Sequence, residues 1–314
     1  MEGPLAIDVV AASPLEILEP AEQQIPVVLA SPHSGADYPA DLLAASRLDA
    51  HALRRSEDSF VDEIFAAGPE LGAPLLRAKV ARAYLDLNRE PFELDPAMFE
   101  DPLPDFVNSR SPRVQVGLGT LPRIVATGED IYSRKLRFAD ALTRVDRLYK
   151  PYHRALHELI ERTRERFGYC LLVDCHSMPS SHGSPAAPAN GSAARKAPAG
   201  NGFLGTSVRR HVDFVLGDCH GTACHAVVAD TAQHILSAKG YSVARNAPYA
   251  GGFTTSNYGR PRDGAHCLQI EINRSLYMDE RTLRRKPFLT QLATDMRDLV
   301  ATLAGIDRRQ LIAG

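Results

Sequence analysis

Two histidines, His33 and His176, share a local context: each falls one to three residues beyond a short apolar run, IPVVLA at 25–30 and CLLV at 170–173, and each is followed by serine. In open α/β sheets ligands bind in the crevice outside the carboxyl ends of the strands, so two such imidazoles are placed to converge. Neutral imidazole at a strand end suits zinc, and a catalytic zinc takes three protein ligands and keeps one position for water. The third ligand should be a carboxylate or another histidine, and SEDSFVDEIF at 56–65 offers Glu57, Asp58, Asp62 and Glu63. On a helix Asp58 and Asp62 would share a face while Glu57 points elsewhere. The same acids would equally suit the dipole of a helix N-terminus, and either histidine taken alone fits a structural role as well as ligation.

Three further stretches carry reactive groups. In HCLQIEINRSLYMDE (266–280), Glu271 stands between Ile270 and Ile272 in an otherwise apolar strand. A carboxylate facing inward there is costly unless it is paired, metal-bound or catalytic. In VARAYLDLNREP (80–91), an extended chain would put Arg82, Tyr84, Asp86 and Asn88 on one face, with Arg89 opposite unless the chain turns at Asn88. Arginine is shaped to grip a carboxylate through two nitrogens; an Arg/Asp surface pair of little energetic weight is the plainer alternative. In NAPYAGGFTTSNYGRP (246–261), paired glycines permit close backbone approach to a ligand, and Thr254, Thr255, Asn257, Tyr258 and Arg260 supply hydrogen-bonding groups. Cys219, His220 and Cys224 have a weak metal-like spacing, and His220 is a candidate rim group.

These residues need a sheet to position them. Apolar runs of strand length recur at 25–30, 170–173, 212–216, 225–229 and 267–272, with helical patterns between several of them. That predicts an α/β fold, a single domain over 1–314 with a central mixed, mostly parallel sheet flanked by helices. Leu136, Ala139, Leu142, Val145, Leu148, Tyr152, Leu156 and Leu159 predict a helix from about Ser133 to Phe167, kinked or divided at Pro151. Residues 91–128 read as a long irregular excursion over the sheet, and the Gly/Ala/Pro/Ser-rich stretch 182–202 as a mobile insert.

Composition bounds the partners. At 44% hydrophobic, 24% charged and a formal net charge of −2, the chain has no global field to recruit nucleic acid or acidic lipid. Neither a basic leader nor an apolar stretch of membrane-spanning length occurs, so a cytoplasmic protein is expected. Five scattered cysteines lack zinc-site pairing and read as reduced, buried side chains. Nothing in the composition bears on oligomeric state.

Taken together and in order, PHSGADYP, ARAYLDLNREP, DCHSMPS, LGDCHGTAC, PYAGGFTTSNYGRP and QIEINRSLYMDE resemble the motifs of the N-formylglutamate amidohydrolase family, from about residue 31 to 280. The resemblance implies a fold of the zinc-carboxypeptidase type (phosphorylase/hydrolase-like), one zinc ion per chain, and hydrolysis of N-formyl-L-glutamate to formate and glutamate in histidine degradation. It implies His33, Asp58 and His176 as metal ligands, with Glu57 the alternative carboxylate, and Glu271 as general base. Asn88 and Arg89 match a pair that holds a substrate carboxylate, Arg82 a group for a second carboxylate or the developing oxyanion, and Thr254, Thr255 and Arg260 further substrate contacts. SEDSFVD lacks the tryptophan associated with the family's acidic motif. The rival readings are a related metal-dependent amidase acting on another small N-acyl amino acid or short peptide, and a module that binds a metal or acidic metabolite without turnover; a base such as Glu271 argues against the latter.

Overall fold

The computed structural model describes residues 13–180 and 212–312; the expected insert at 182–202 lies outside them. Seven strands, β1 (Leu15–Leu18), β2 (Val27–Ser31), β3 (Leu75–Ala78), β4 (Cys170–Met178), β5 (Phe214–Gly217), β6 (Val243–Arg245) and β7 (Ala265–Asn273), form one sheet. Their order is β1-β3-β2-β4-β7-β5-β6. The run β3-β2-β4-β7 is parallel, as is β5 with β6, whereas β1 against β3 and β5 against β7 are antiparallel. This is the mixed, mostly parallel sheet that the apolar runs predict.

Every residue of β2, β4 and β7 is buried, as expected for parallel strands covered on both faces. Alternation splits their side chains between two cores. Val28, Ala30, Cys170, Leu172, Ala265 and Cys267 face one; Val27, Leu29, Leu171, Val173, Leu268 and Ile270 face the other. Short helices α1 (Ala40–Ala45), α2 (Ala50–Leu53), α3 (Val61–Ile64) and α4 (Pro112–Gln115) punctuate the connections between β2 and β4. The first core is roofed by α5 (Phe138–Arg144) and α6 (Lys150–Phe167), whose Tyr152, Leu156, Leu159 and Ile160 are buried at helical spacing. The second is covered by α7 (Ala226–Ala238) and α9 (Phe288–Ala304); α8 (Phe253–Tyr258) and α10 (Arg308–Ile312) complete the α-helices among the described residues.

The division expected at Pro151 is present, and two differences from the sequence expectation have physical causes. The long helix is divided just before Pro151: Val145–Tyr149 winds as a π-helical turn, and Pro151 occupies the first turn of α6, where its missing N–H costs nothing. Residues 133–137 stay outside it, with Leu136 paired to the excursion through Met98 O. The run at 225–229 belongs to α7 and is not a strand, because four apolar residues do not distinguish the two and the pattern continues through Val228, Ala232 and Leu236. His225 caps that helix through Val227 N. Residues 91–128 do form an irregular excursion, interrupted by α4 and a single 3-10 turn at Pro96–Met98. All five cysteines are free, and only Cys219 is not buried. Among the described residues no helix is long and apolar enough to cross a membrane.

Candidate active site

β4 and β7 run side by side in register, so Asp174 pairs with Gln269 and His176 with Glu271. All four continue, toward the strands' carboxyl ends, the face that carries Cys170, Leu172 and Cys267 nearer the amino ends. Polar groups thus begin where the apolar roof ends. Because β7 lies between β4 and β5, Glu271 is on an internal strand, and it is 7% exposed.

His33 arrives from the turn after β2. A Cβ at Gly35 would lie 2.4 Å from Val80 O, so glycine lets this turn press onto residues 79–81, where Asp37 N donates to Lys79 O and Ala81 N donates to Asp37 O. The backbone then ties the third residue in: Asp58 N donates to His33 O at 3.0 Å. Asp58 precedes α3 rather than lying on it, so it does not share a helix face with Asp62. Between them Phe60 takes a left-handed φ of 68°, an uncommon conformation for a bulky residue that turns the chain away from the cluster.

The three side chains converge. His176 Nδ1 lies 3.2 Å and His33 Nδ1 3.5 Å from Asp58 Oδ2, and the imidazole centroids are 4.8 Å apart. On their far sides His33 Nε2 meets Asp86 Oδ1 and His176 Nε2 meets Asp174 Oδ1, both at 2.8 Å. A carboxylate there holds the ring proton on Nε2 and leaves the Nδ1 lone pair facing the cluster, which is how metal-ligating histidines are oriented. The set fits a divalent cation. One ligand atom from each of His33, Asp58 and His176 lies within 4.8 Å of the others, and His33 Nδ1 is buried with no hydrogen bond of its own. Two imidazoles and one carboxylate leave room for a fourth ligand, as a catalytic zinc requires.

The electrostatics follow from burial and pairing. Burial alone would raise Asp58, but the His176 and His33 imidazoles that face it and the Arg274 charge hold it well below the usual carboxylate range. Asp86 is held low against burial by Arg82, Arg89 and His33. His176 is raised, since its carboxylate neighbours, Asp174 first, outweigh burial. Glu271 is pushed up to about 7, chiefly by burial, with His176 opposing and Asp58 reinforcing. Its Oε1 accepts from Gln269 Nε2 at 3.0 Å.

The arginine-bearing segment is not extended. It turns repeatedly between Arg82 and Arg89, which curls both guanidiniums toward Asp86. Arg82 places Nε and Nη2 each 2.9 Å from Asp86 Oδ2 and remains 22% exposed on its side chain. Arg89 is buried, donating to Leu118 O at 2.8 Å and Asn88 O at 2.6 Å, with Nη2 3.6 Å from Asp86. Its guanidinium ties the excursion to the site. Since Asp86 is 1% exposed, this is not a surface pair. Asn88 packs in the cluster, Nδ2 3.2 Å from His176 Nε2, with Oδ1 accepting from Thr254 N at 2.7 Å. Thr255 Oγ1 donates to Asp174 Oδ2 at 3.1 Å. The close approach that the glycine pair permits is to a side chain: a Cβ on Gly252 would sit 2.3 Å from Asn88 Nδ2.

Several expected residues are elsewhere. Arg260 pairs with Glu161 at 3.8 Å and Asp263 at 4.0 Å, and its backbone bridges Ala265, the first residue of β7, at the opposite end of that strand from Glu271. Glu57 is engaged by Tyr38, Arg54 and Ser59, Asp62 by Arg77 and Glu63 by Arg285, so Asp58 is the acid of this run that faces the histidines. His220 is exposed in a tight turn after β5, φ 56°, and among the described residues the cluster at His33 is the one grouping able to hold a metal. Sequence reasoning gave no role to Asp174, Gln269 or Arg274, and read Asp86 only as an arginine's surface partner. The D-x-H of β4 and Q-x-E of β7 carry a signal for two of them, because residues two apart share a strand face.

A family model described as N-formylglutamate amidohydrolase matches residues 25–278. The chain is 26% identical over 277 residues to an N-formylglutamate deformylase of Pseudomonas putida, covering 84% of this chain and 86% of that one. A Pseudomonas aeruginosa protein of the same name is 26% identical over 269 residues, covering 85% and 87%. Among solved structures, N-formylglutamate amidohydrolase from Ralstonia eutropha JMP134 superimposes with a TM-score of 0.83 at 35% identity, over 95% of this chain and 99% of that one. A gene product of Agrobacterium tumefaciens shares the fold, with a TM-score of 0.60 at 19% identity over 93% and 95%. By the extent of these matches, the chain belongs to the N-formylglutamate amidohydrolase family.

Proposed function

We propose that this enzyme hydrolyses the N-formyl amide of N-formyl-L-glutamate to formate and L-glutamate, using one zinc ion held by His33 Nδ1, His176 Nδ1 and Asp58 Oδ2. The observation that carries the reading is the pairing of an unpartnered, buried imidazole nitrogen at His33 with an inward carboxylate, Glu271, beside His176.

Zinc at this position would polarise the formyl oxygen and bring the pKa of a coordinated water to about 7. Glu271 takes the proton from the attacking water and returns it to the amide nitrogen as the C–N bond breaks, because an amine must leave protonated. With its carboxyl near 7, Glu271 is matched to both transfers. Arg82, braced on Asp86 but still partly exposed, meets the developing oxyanion or a substrate carboxylate. Arg89 and Asn88 act mainly by holding Asp86, His176 and α8 in place, and the support from Thr255 reaches the metal pocket through Asp174. Thr254 Oγ1, buried without a hydrogen bond, is the remaining hydroxyl near Asn88.

Hydrolysis of N-formylglutamate, N-acetylglutamate and dipeptides, each followed by the amino group it frees and measured beside zinc content, tests the reading. We expect about one zinc per chain and a clear preference for N-formylglutamate. Equal rates across the panel would reassign the substrate, and full activity in metal-stripped protein would remove the zinc.

A further inference from the structure

We propose that Arg274 is a positioning residue that reserves one oxygen of Asp58, so that a bound metal receives only the other. The inference rests on the metal reading above and deepens it. Arg274 follows β7 directly, three residues after Glu271, and is 6% exposed. Its guanidinium sends three nitrogens to three separate segments. Nη2 donates to Asp58 Oδ1 at 2.8 Å, Nη1 to Arg55 O at 3.1 Å, and Nε to Ser177 Oγ at 3.2 Å. Those acceptors lie in the Arg55–Asp58 turn and on β4 beside His176, so one side chain fixes the acidic ligand relative to both strands that carry His176 and Glu271.

The division of labour between the two carboxylate oxygens is unambiguous. Oδ2 faces both imidazole Nδ1 atoms, whereas Oδ1 is taken by the arginine. A free carboxylate can offer a metal both oxygens, and a second bond to the same ion would occupy the position that a catalytic site keeps open. A planar, permanently charged guanidinium spreads its donors over three separate acceptors at fixed angles, which the single compact nitrogen of a lysine ammonium cannot reproduce. Arg274 thereby protects an open coordination position without touching it.

The test replaces zinc with cobalt(II) in the full-length protein and compares wild type with Arg274→Met, Arg274→Lys and Ser177→Ala, recording visible absorption, metal stoichiometry and the kcat and KM for formate release. We expect Arg274→Met to keep cobalt but show weaker d–d bands, the signature of a higher coordination number, with kcat down about 10–100-fold, the usual scale for losing a group that orients a metal ligand. Arg274→Lys should shift the spectrum in the same direction, since charge without the fork is insufficient, and Ser177→Ala should shift it least. Unchanged spectra in the variants that fold overturn the proposal. So does a rise in KM alone, which would make Arg274 a substrate clamp, or a fall in thermal stability alone, which would make it purely structural. If Arg274→Met does not fold, the spectra of Arg274→Lys and Ser177→Ala decide. A wild-type protein that takes up no divalent ion would instead remove the metal reading itself, and this inference with it.

Discussion

The buried histidines of this molecule are of two kinds, which behave in opposite ways. At the strand ends, His33 and His176 each lean on a carboxylate through Nε2 and face a third carboxylate through Nδ1. Between α6 and α8, His153 donates from Nε2 to Leu87 O at 2.9 Å and accepts at Nδ1 from Tyr258 OH at 2.9 Å. Tyr149 packs against it with a ring separation of 4.1 Å. Burial pushes His153 down to about 4, whereas His176 is raised. His266, on β7 nearer its amino end, is also pushed down to about 4 by burial, with His225 reinforcing. The surrounding anions decide the outcome: a desolvated imidazole among neutral partners is a packing element, and one among carboxylates is a cation-binding element.

That contrast can be broken at several points. The largest effect is expected on metal content. His33→Ala and His176→Ala should each take bound zinc from about one per chain to near none, while His153→Gln leaves it unchanged; equal losses in all three would erase the distinction. Next, Glu271→Gln should lower formate release by about 10³-fold with zinc retained, within the range for losing a general base. Because Glu271 must be ionised to accept a proton and titrates near 7, wild-type kcat/KM should rise with pH through that region.

Stability offers a smaller test. His153 has a depressed folded pKa, so below about 6.5 the unfolded chain binds the proton that the folded chain refuses. The stability from keeping it neutral is present above 6.5 and lost as pH falls toward 4. Urea unfolding of the wild type should therefore lose about 2–3 kcal/mol across that window from this group, at about 1.4 kcal/mol for each tenfold difference in proton affinity between the folded and unfolded chains, and His153→Gln should flatten the curve. Gly252→Ala forces a Cβ into Asn88 and should cost about 1–3 kcal/mol, the scale of overpacking, with a raised KM. Arg260→Ala should change stability by less than about 0.5 kcal/mol, as for exposed pairs, and leave formate release untouched; a marked KM increase would return Arg260 to the substrate.

What could be read from the sequence was what depends on neighbours along the chain. An apolar run ending in histidine marks a strand end, and a lone glutamate among isoleucines marks an internal strand with an inward carboxylate; both hold in β2, β4 and β7. What could not be read depends on pairing across the chain. Asp86 reaches His33, 53 positions away, only because residues 82–89 turn, and Arg274 reaches Asp58 from 216 positions away. Arg260 went astray for the converse reason. It follows the GGFTTSNYG stretch closely in sequence, but α8 intervenes and carries the chain back to the opposite end of β7.

The side-by-side pairing of β4 and β7 also bears on how the chain finds its fold. Cys170–Leu172–Asp174–His176 and Ala265–Cys267–Gln269–Glu271 form matched rows on one face, while Leu268, Ile270 and Ile272 fill the core beneath α7 and α9. Sliding β7 by a single residue would invert its faces, sending Glu271 and Gln269 into that apolar core and exposing three aliphatic side chains to the charged crevice. The residues proposed for catalysis therefore also proofread strand pairing, because a mispaired sheet buries a carboxylate that nothing neutralises.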